Sequence, residues 1–351
     1  MKIESAKLSK ALNSLKPITS GRMTLPILSC VKLEVVKGQL EISASNLDEH
    51  AIERIDCEGS IKTTCVSFNH LSNAIGGETV EIVSQKDAIE VSCVFGDTKI
   101  ATLDAEEFPP VPKMEKAHNR GVSCVNLSIA LKSVGWCACS YQGHCILNST
   151  YVSSKAKKLT VVATNGRELA MSELNLIGSD FEMLLPREYV GNFSEMLIRD
   201  GSILSLNEKC ASVSHECGAY FCKQVAGVYP NYIGVIPKKK VLIGEVLVSD
   251  VKSLLGRCLH YSAAVEANGT FSFTPEKLTV DFIGDNNAKL SHRIEGKFEP
   301  FKIALNIRSL HKVFSRLNGD KATIYNGGDE LTPITIQNEQ VSVLTMPMRF
   351  K

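Results

Sequence analysis

The chain has 351 residues, 44% of them hydrophobic, enough to bury a substantial core in two or three domains. Its 39 basic and 38 acidic residues leave a net charge of +1, which excludes the strong basic bias of a protein that grips DNA phosphates tightly and leaves room only for local, weak contacts. No apolar run approaches the roughly 20 residues needed to cross a bilayer, and the first ten residues lack the charged start and apolar stretch of a signal peptide, so the chain is expected in the cytoplasm.

Taken in chain order, the first predicted element is a short amphipathic helix from Leu8 to Leu15, with apolar residues three and four apart and Ser9 as its expected N-cap. A half-buried strand follows from Gly38 to Asn46, with Leu40 at its start, and then a second helix from Phe68 to Ile75. Phe108-Pro109-Pro110-Val111-Pro112 reads as a linker, because prolines lack a ladder donor and end strands. The series then begins again. A helix from Leu127 to Val134, with Ser128 as its expected cap, precedes a strand from Lys158 to Asn165 and a helix from Arg187 to Ile198. Tyr229 to Pro237, followed by Lys238, Lys239 and Lys240, is the second expected linker. A third round holds a helix from Val248 to Leu254 with Ser249 as cap, a strand from Lys277 to Phe282, and a helix from Ile307 to Leu317.

The leucines that open the three strands, Leu40, Leu159 and Leu278, stand 119 residues apart. Helix, strand and boundary recurring in one order at one interval predict three tandem copies of one unit, with domains at 1–115, 120–238 and 241–351. The fold class is α+β, each copy placing two helices on antiparallel strands.

Twelve cysteines are spread through a chain without a secretion signal, which predicts reduced thiols and no disulfide framework. Cys137 and Cys139 form only a CxC, with neither a second pair nor a histidine at zinc spacing, so no metal and no cofactor is expected. No GxxxxGKS loop and no GxSxG elbow occurs, and the eight histidines are scattered without metal spacing. No catalytic residue is therefore assigned.

Several motifs resemble those of a known family, the β subunit of bacterial DNA polymerase III, or β sliding clamp. Thr24-Leu25-Pro26-Ile27-Leu28 behind Arg22, Leu103-Asp104-Ala105-Glu106-Glu107-Phe108-Pro109, Ala163-Thr164-Asn165-Gly166-Arg167-Glu168-Leu169-Ala170, Tyr229-Pro230-Asn231-Tyr232 and the terminal Met346-Pro347-Met348-Arg349-Phe350 are similar to its segments and occur in its order. The resemblance implies three DNA-clamp domains per chain and a head-to-tail homodimer closing into a ring of six around duplex DNA. It also implies no catalysis, and partners, the replicative polymerase and the clamp loader, that insert linear peptides into an apolar cleft between the second and third domains.

Carried over residue by residue, the resemblance assigns Leu147, Thr164, Gly166, Arg167, Leu169, Pro230 and Val235 to that cleft, together with Asn306, Leu331, Pro333, Leu344, Met346, Pro347, Met348 and Arg349. Arg22 matches a DNA-contacting position, and Tyr141 and His144 lie in a loop corresponding to another. Basic residues on the predicted helices, Lys10, Lys132, Arg187, Lys252, Arg257, Arg308, Lys312 and Arg316, complete a weakly held DNA wall. Two departures bear on the charge of the cleft rim: Glu168 stands where the family carries arginine, and Gly234 replaces a basic position. Lys351 extends the usual terminus. Two rival readings stand beside the clamp: an enzyme with a thiol nucleophile near Cys137 or Cys145, and a triplicated peptide-binding scaffold that does not encircle DNA.

Overall fold

Leu40, Leu159 and Leu278 each stand second in an antiparallel strand and are no more than 2% exposed. The computed structural model in which they do so describes residues 1–21, 25–141, 146–175, 178–261, 267–284 and 289–349. Arg22 and His144 lie outside the described residues, as do Thr24, Cys145, Phe350 and Lys351.

The element order is the same in all three copies. The first runs strand β1 (Lys2–Glu4), helix α1 (Ser5–Thr19), strands β2 (Cys30–Val36), β3 (Gln39–Ser45), β4 (Glu49–Asp56) and β5 (Thr64–Ser67), helix α2 (Phe68–Ala74), then strands β6 (Thr79–Ser84), β7 (Ala88–Cys93) and β8 (Gly96–Leu103). The second repeats this as β9 (His118–Arg120), α3 (Cys124–Val134), β10 (Ser149–Lys155), β11 (Lys158–Thr164), β12 (Glu168–Asn175), β13 (Phe181–Pro186), α4 (Val190–Leu197), β14 (Ile203–Leu206), β15 (Cys210–His215) and β16 (Gly218–Lys223). The third comprises β17 (Val241–Leu247), α5 (Val248–Leu259), β18 (Asn268–Thr274), β19 (Lys277–Ile283), β20 (Lys289–Glu295), β21 (Phe301–Asn306), α6 (Ile307–Phe314), β22 (Lys321–Asn326), β23 (Ile334–Gln337) and β24 (Ser342–Thr345).

Packing divides the chain differently from the repeat. One compact unit holds Met1–Val125 with Gly191–Gln224, the other Asn126–Val190 with Val225–Lys351. The first unit carries one twelve-stranded sheet in the order β1-β6-β7-β8-β5-β2-β3-β4-β16-β15-β14-β9. The second carries an eight-stranded sheet, β13-β10-β11-β12-β24-β23-β22-β17, and a four-stranded one, β20-β19-β18-β21. The main-chain ladder explains the division. In the first unit β4 pairs with β16, setting His50 opposite Phe221; in the second β12 pairs with β24, setting Leu169 opposite Leu344. The middle copy is thereby shared, each part hydrogen-bonded into a neighbour's sheet.

The helices bury one apolar stripe each, Leu8, Ala11, Leu12, Leu15 and Ile18 on α1 and Val248, Val251, Leu254, Leu255 and Cys258 on α5. Each fully buried leucine contributes about 2 kcal/mol of transfer free energy. The expectation that Ser9, Ser128 and Ser249 cap the first helices is corrected: all three lie inside helices that start earlier, at Ser5, Cys124 and Val248. The first N–H of α1 goes to the Glu78 carbonyl and that of α5 to the Asp320 carbonyl, both at 2.9 Å, so tertiary structure does what a capping side chain would do. In α2 and α6 side-chain caps do operate: Ser67 Oγ accepts the His70 N–H and Asn306 Oδ1 accepts the Ser309 N–H.

One hairpin turn repeats in atomic detail. Asn46 Oδ1 accepts the N–H groups of Asp48 and Glu49, and Asn165 Oδ1 those of Arg167 and Glu168. Ser45 and Thr164 accept the N–H two residues on, from Leu47 and Gly166. That residue needs a left-handed backbone, with φ of +76° at Leu47 and +86° at Gly166, and only glycine adopts it without a Cβ penalty. Leu47 is 52% exposed and loses little packing when removed. Leu47→Gly is expected to raise stability by about 0.5–1 kcal/mol in a urea titration, and Gly166→Leu to lower it by a similar amount.

Candidate functional site

In the second unit the alternation of β12 sorts its side chains onto opposite faces. Leu169 enters a cluster with Val162, Leu184, Tyr229 and Leu344, flanked by half-buried Ile146, Tyr151, Met171, Val225, Tyr232 and Ile236. Tyr151 stacks on Tyr229 at 5.3 Å between ring centroids and 11° between planes, and Tyr232 closes the group at 6.1 and 6.5 Å from the two. The aromatic wall is anchored at one edge, where the Tyr151 hydroxyl donates to Glu182 at 2.7 Å and Lys155 pairs with the same carboxylate. Exposed apolar residues crowd nearby in sequence, Val228 at 87%, Ile233 at 66% and Val235 at 55%. An apolar floor with a tyrosine wall suits the side chains of an extended peptide.

Of the residues expected to form a cleft, Leu169 and Leu344 meet in this cluster. The C-terminal segment is stitched alongside them: the Met346 N–H donates to the Arg167 carbonyl at 3.1 Å and the Met348 N–H to the Ala304 carbonyl at 2.8 Å. Met346 is 48% exposed. Thr164, Gly166 and Arg167 build the turn that presents β12, while Pro230 and Val235 flank the tyrosines on an exposed segment. The remaining candidates serve local structure. Asn306 caps α6, Leu147 accepts the Cys139 N–H, and Leu331, 67% exposed, sits in a turn organised by Asp329 ahead of half-buried Pro333. Pro347 is half-buried and Arg349 exposed.

Glu168 is not a rim residue. It is 7% exposed, points to the face opposite Leu169, and accepts a hydrogen bond from Asn165 Nδ2. The exposed charge at this turn is Arg167. Tyr229 to Val235, part of the expected linker Tyr229 to Pro237, supplies the wall instead; its two tyrosines were the one local signal that could have marked burial.

The basic candidates lie on helix surfaces. Lys10 on α1, Lys132 on α3, Lys252 and Arg257 on α5 and Arg308 and Lys312 on α6 are exposed, as are Arg316 just beyond α6 and Tyr141. Arg187 is put to structural use, its guanidinium donating to the Ala138 carbonyl at 2.8 Å. Along α5 and α6 an open depression of about 760 Å³ is lined by Lys252, Ser253, His311 and Ser315 among others. Burial lowers the His311 pKa, and the charges of Lys252 and Arg308 lower it further. Cys137 is fully buried and its thiol is pushed up to about 12, chiefly by burial, which makes it a poor nucleophile. Among the described residues no group of His, Cys, Asp and Glu is arranged to hold a metal ion.

The first unit holds a counterpart of the tyrosine cluster in which His50 takes the place of Leu169. His50 is 2% exposed, lies edge-on to Phe108 and Phe221, and neither ring nitrogen has a partner. Burial, aided by Lys32, lowers its pKa from 6.5 to about 4. The folded state thus favours neutral His50, and stability present above pH 6.5 is lost as pH falls toward 4, by about 3 kcal/mol in all. His50→Leu is expected to flatten that acid limb and raise the denaturation midpoint at pH 7; an unchanged acid limb contradicts the assignment.

Residues 1–112 match the family described as DNA polymerase III beta subunit, N-terminal domain. Across the whole chain, the solved sliding clamp of Pseudomonas aeruginosa superposes with a TM-score of 0.90 at 18% identity, covering 100% of this chain and 99% of that one. The clamp of Caulobacter crescentus gives 0.87 at 21%, covering 99% of each chain. The fold is that of a DNA polymerase sliding clamp. In sequence the chain is 23% identical over 369 residues to the beta sliding clamp of Caulobacter vibrioides and 21% over 367 to that of Vibrio cholerae, each match covering 99% of both chains. Along its whole length the chain is similar to β sliding clamps.

Proposed function

We propose that two copies of this chain join head to tail into a ring that encircles duplex DNA, slides on it, and tethers the replicative polymerase and the clamp loader through peptides seated in the tyrosine-walled cleft. The observation that carries this reading is the threefold recurrence of one element order with sheets continuous across copies. Such a chain can curve, and a head-to-tail interface that closes after two subunits hides strand edges that would otherwise aggregate. Retention then comes from topology, which is why exposed, screened lysines and arginines are sufficient and a net charge of +1 is no handicap. The ring carries no catalytic residue and works in the cytoplasm. Domains at 1–115, 120–238 and 241–351 are its repeating segments.

Light scattering tests the assembly: a solution mass near twice 38.3 kDa supports the ring, and a monomer at micromolar concentration contradicts it.

A further inference from the structure

We propose that Trp136 is a stacking platform for an unpaired base of single-stranded DNA, with the Lys312 ammonium beside it taking the neighbouring phosphate. This rests on the reading of the basic helices as a DNA wall and adds a ligand class to it. Trp136 is the one tryptophan of the chain and lies in a 3-10 turn, Gly135–Cys137, directly after α3. It is half-buried, and its indole N–H is satisfied locally by the Ser133 carbonyl at 2.8 Å, so the ring needs no deeper partner to hold its orientation.

One cation lies over the ring, and two more belong to the same region of the chain. Lys312 Nζ stands 5.3 Å from the ring centroid, Lys132 is exposed one turn earlier on α3, and Arg187 is tied to the Ala138 carbonyl two residues on. Among the described residues Lys312 pairs with no carboxylate, leaving its charge for an anion. In the first unit the matching position on α4 is Asn192, which donates to buried Glu49 at 2.9 Å. That structural polar contact is replaced in the second unit by a cation over an indole. An aromatic face set among cations is what a single strand uses, because every base has a stacking surface and every linkage a negative charge. A duplex keeps its bases stacked on one another and meets only the cations.

The emission of the unmodified full-length protein reports on this residue alone. Titration at low salt with an oligothymidine single strand is expected to quench it saturably, whereas a blunt duplex of equal length binds without quenching. Trp136→Leu is expected to weaken single-strand affinity by about tenfold and leave duplex affinity unchanged, and Trp136→Phe to restore most of the loss. Duplex binding with an unquenched tryptophan, or a leucine variant that binds the single strand as tightly as the parent, overturns the proposal while leaving the DNA wall standing. Absence of binding to either nucleic acid overturns both.

Discussion

Arg199→Met is expected to lower the stability of the first unit by about 2–3 kcal/mol, read as a fall in the urea midpoint at constant slope. Glu53, on β4, is 4% exposed, and a single Arg199 nitrogen reaches its two oxygens at 2.8 and 2.9 Å while Ser14 donates to one of them at 2.6 Å. Removing the guanidinium leaves a buried carboxylate with one hydroxyl donor, and the desolvation cost of that charge is no longer offset. His215 lies 3.4 Å from the same Arg199 nitrogen. Its pKa is lowered, by burial first and then by Arg199. Glu53→Gln in the Arg199→Met background removes the stranded charge and is expected to recover at least about 1 kcal/mol. A single-variant loss below about 0.5 kcal/mol contradicts the account of this network.

The second large effect concerns the cleft. A peptide carrying the consensus of clamp-binding motifs is expected to bind in the micromolar range, about 8 kcal/mol. Deleting Met346 through Lys351 removes the strip held by the Met346–Arg167 and Met348–Ala304 hydrogen bonds beside Leu344. Calorimetry is expected to show at least a hundredfold loss of affinity with the dimer intact. Undiminished affinity in the truncated chain places the peptide elsewhere.

Much of the architecture was legible because it is written more than once. Leu40, Leu159 and Leu278 recur at one interval, and each is a core residue that polar substitution at that position would expose to the same penalty in every copy. The second helices lie within a few residues of their expected spans, since a strong apolar period coincides with capping chemistry at Ser67 and Asn306. The caps of the first helices were misplaced because in α1 and α5 the leading N–H groups are satisfied by carbonyls at Glu78 and Asp320, more than 70 residues away, and no local signal marks that.

The site was less readable, for a reason of parity. Whether Glu168 or Leu169 faces the cleft depends on the register of β12 against β24, and adjacent residues of a strand take opposite faces. Proline and glycine in Tyr229 to Pro237 signalled a connection correctly, yet they carry no information that its tyrosines fold back onto Leu169 and Leu344. His50 reads in the sequence as an ordinary polar residue; only the β4–β16 pairing places it between two phenylalanines.

Retention on DNA of different topology examines the central claim most directly. The protein is loaded onto nicked circular DNA by its cognate clamp loader, separated from free protein, and the circle is then cut once. Encirclement predicts co-elution with the closed circle at a salt concentration that screens the exposed lysines, and release on cutting. Equal retention on circle and linear DNA, or none on either, contradicts it.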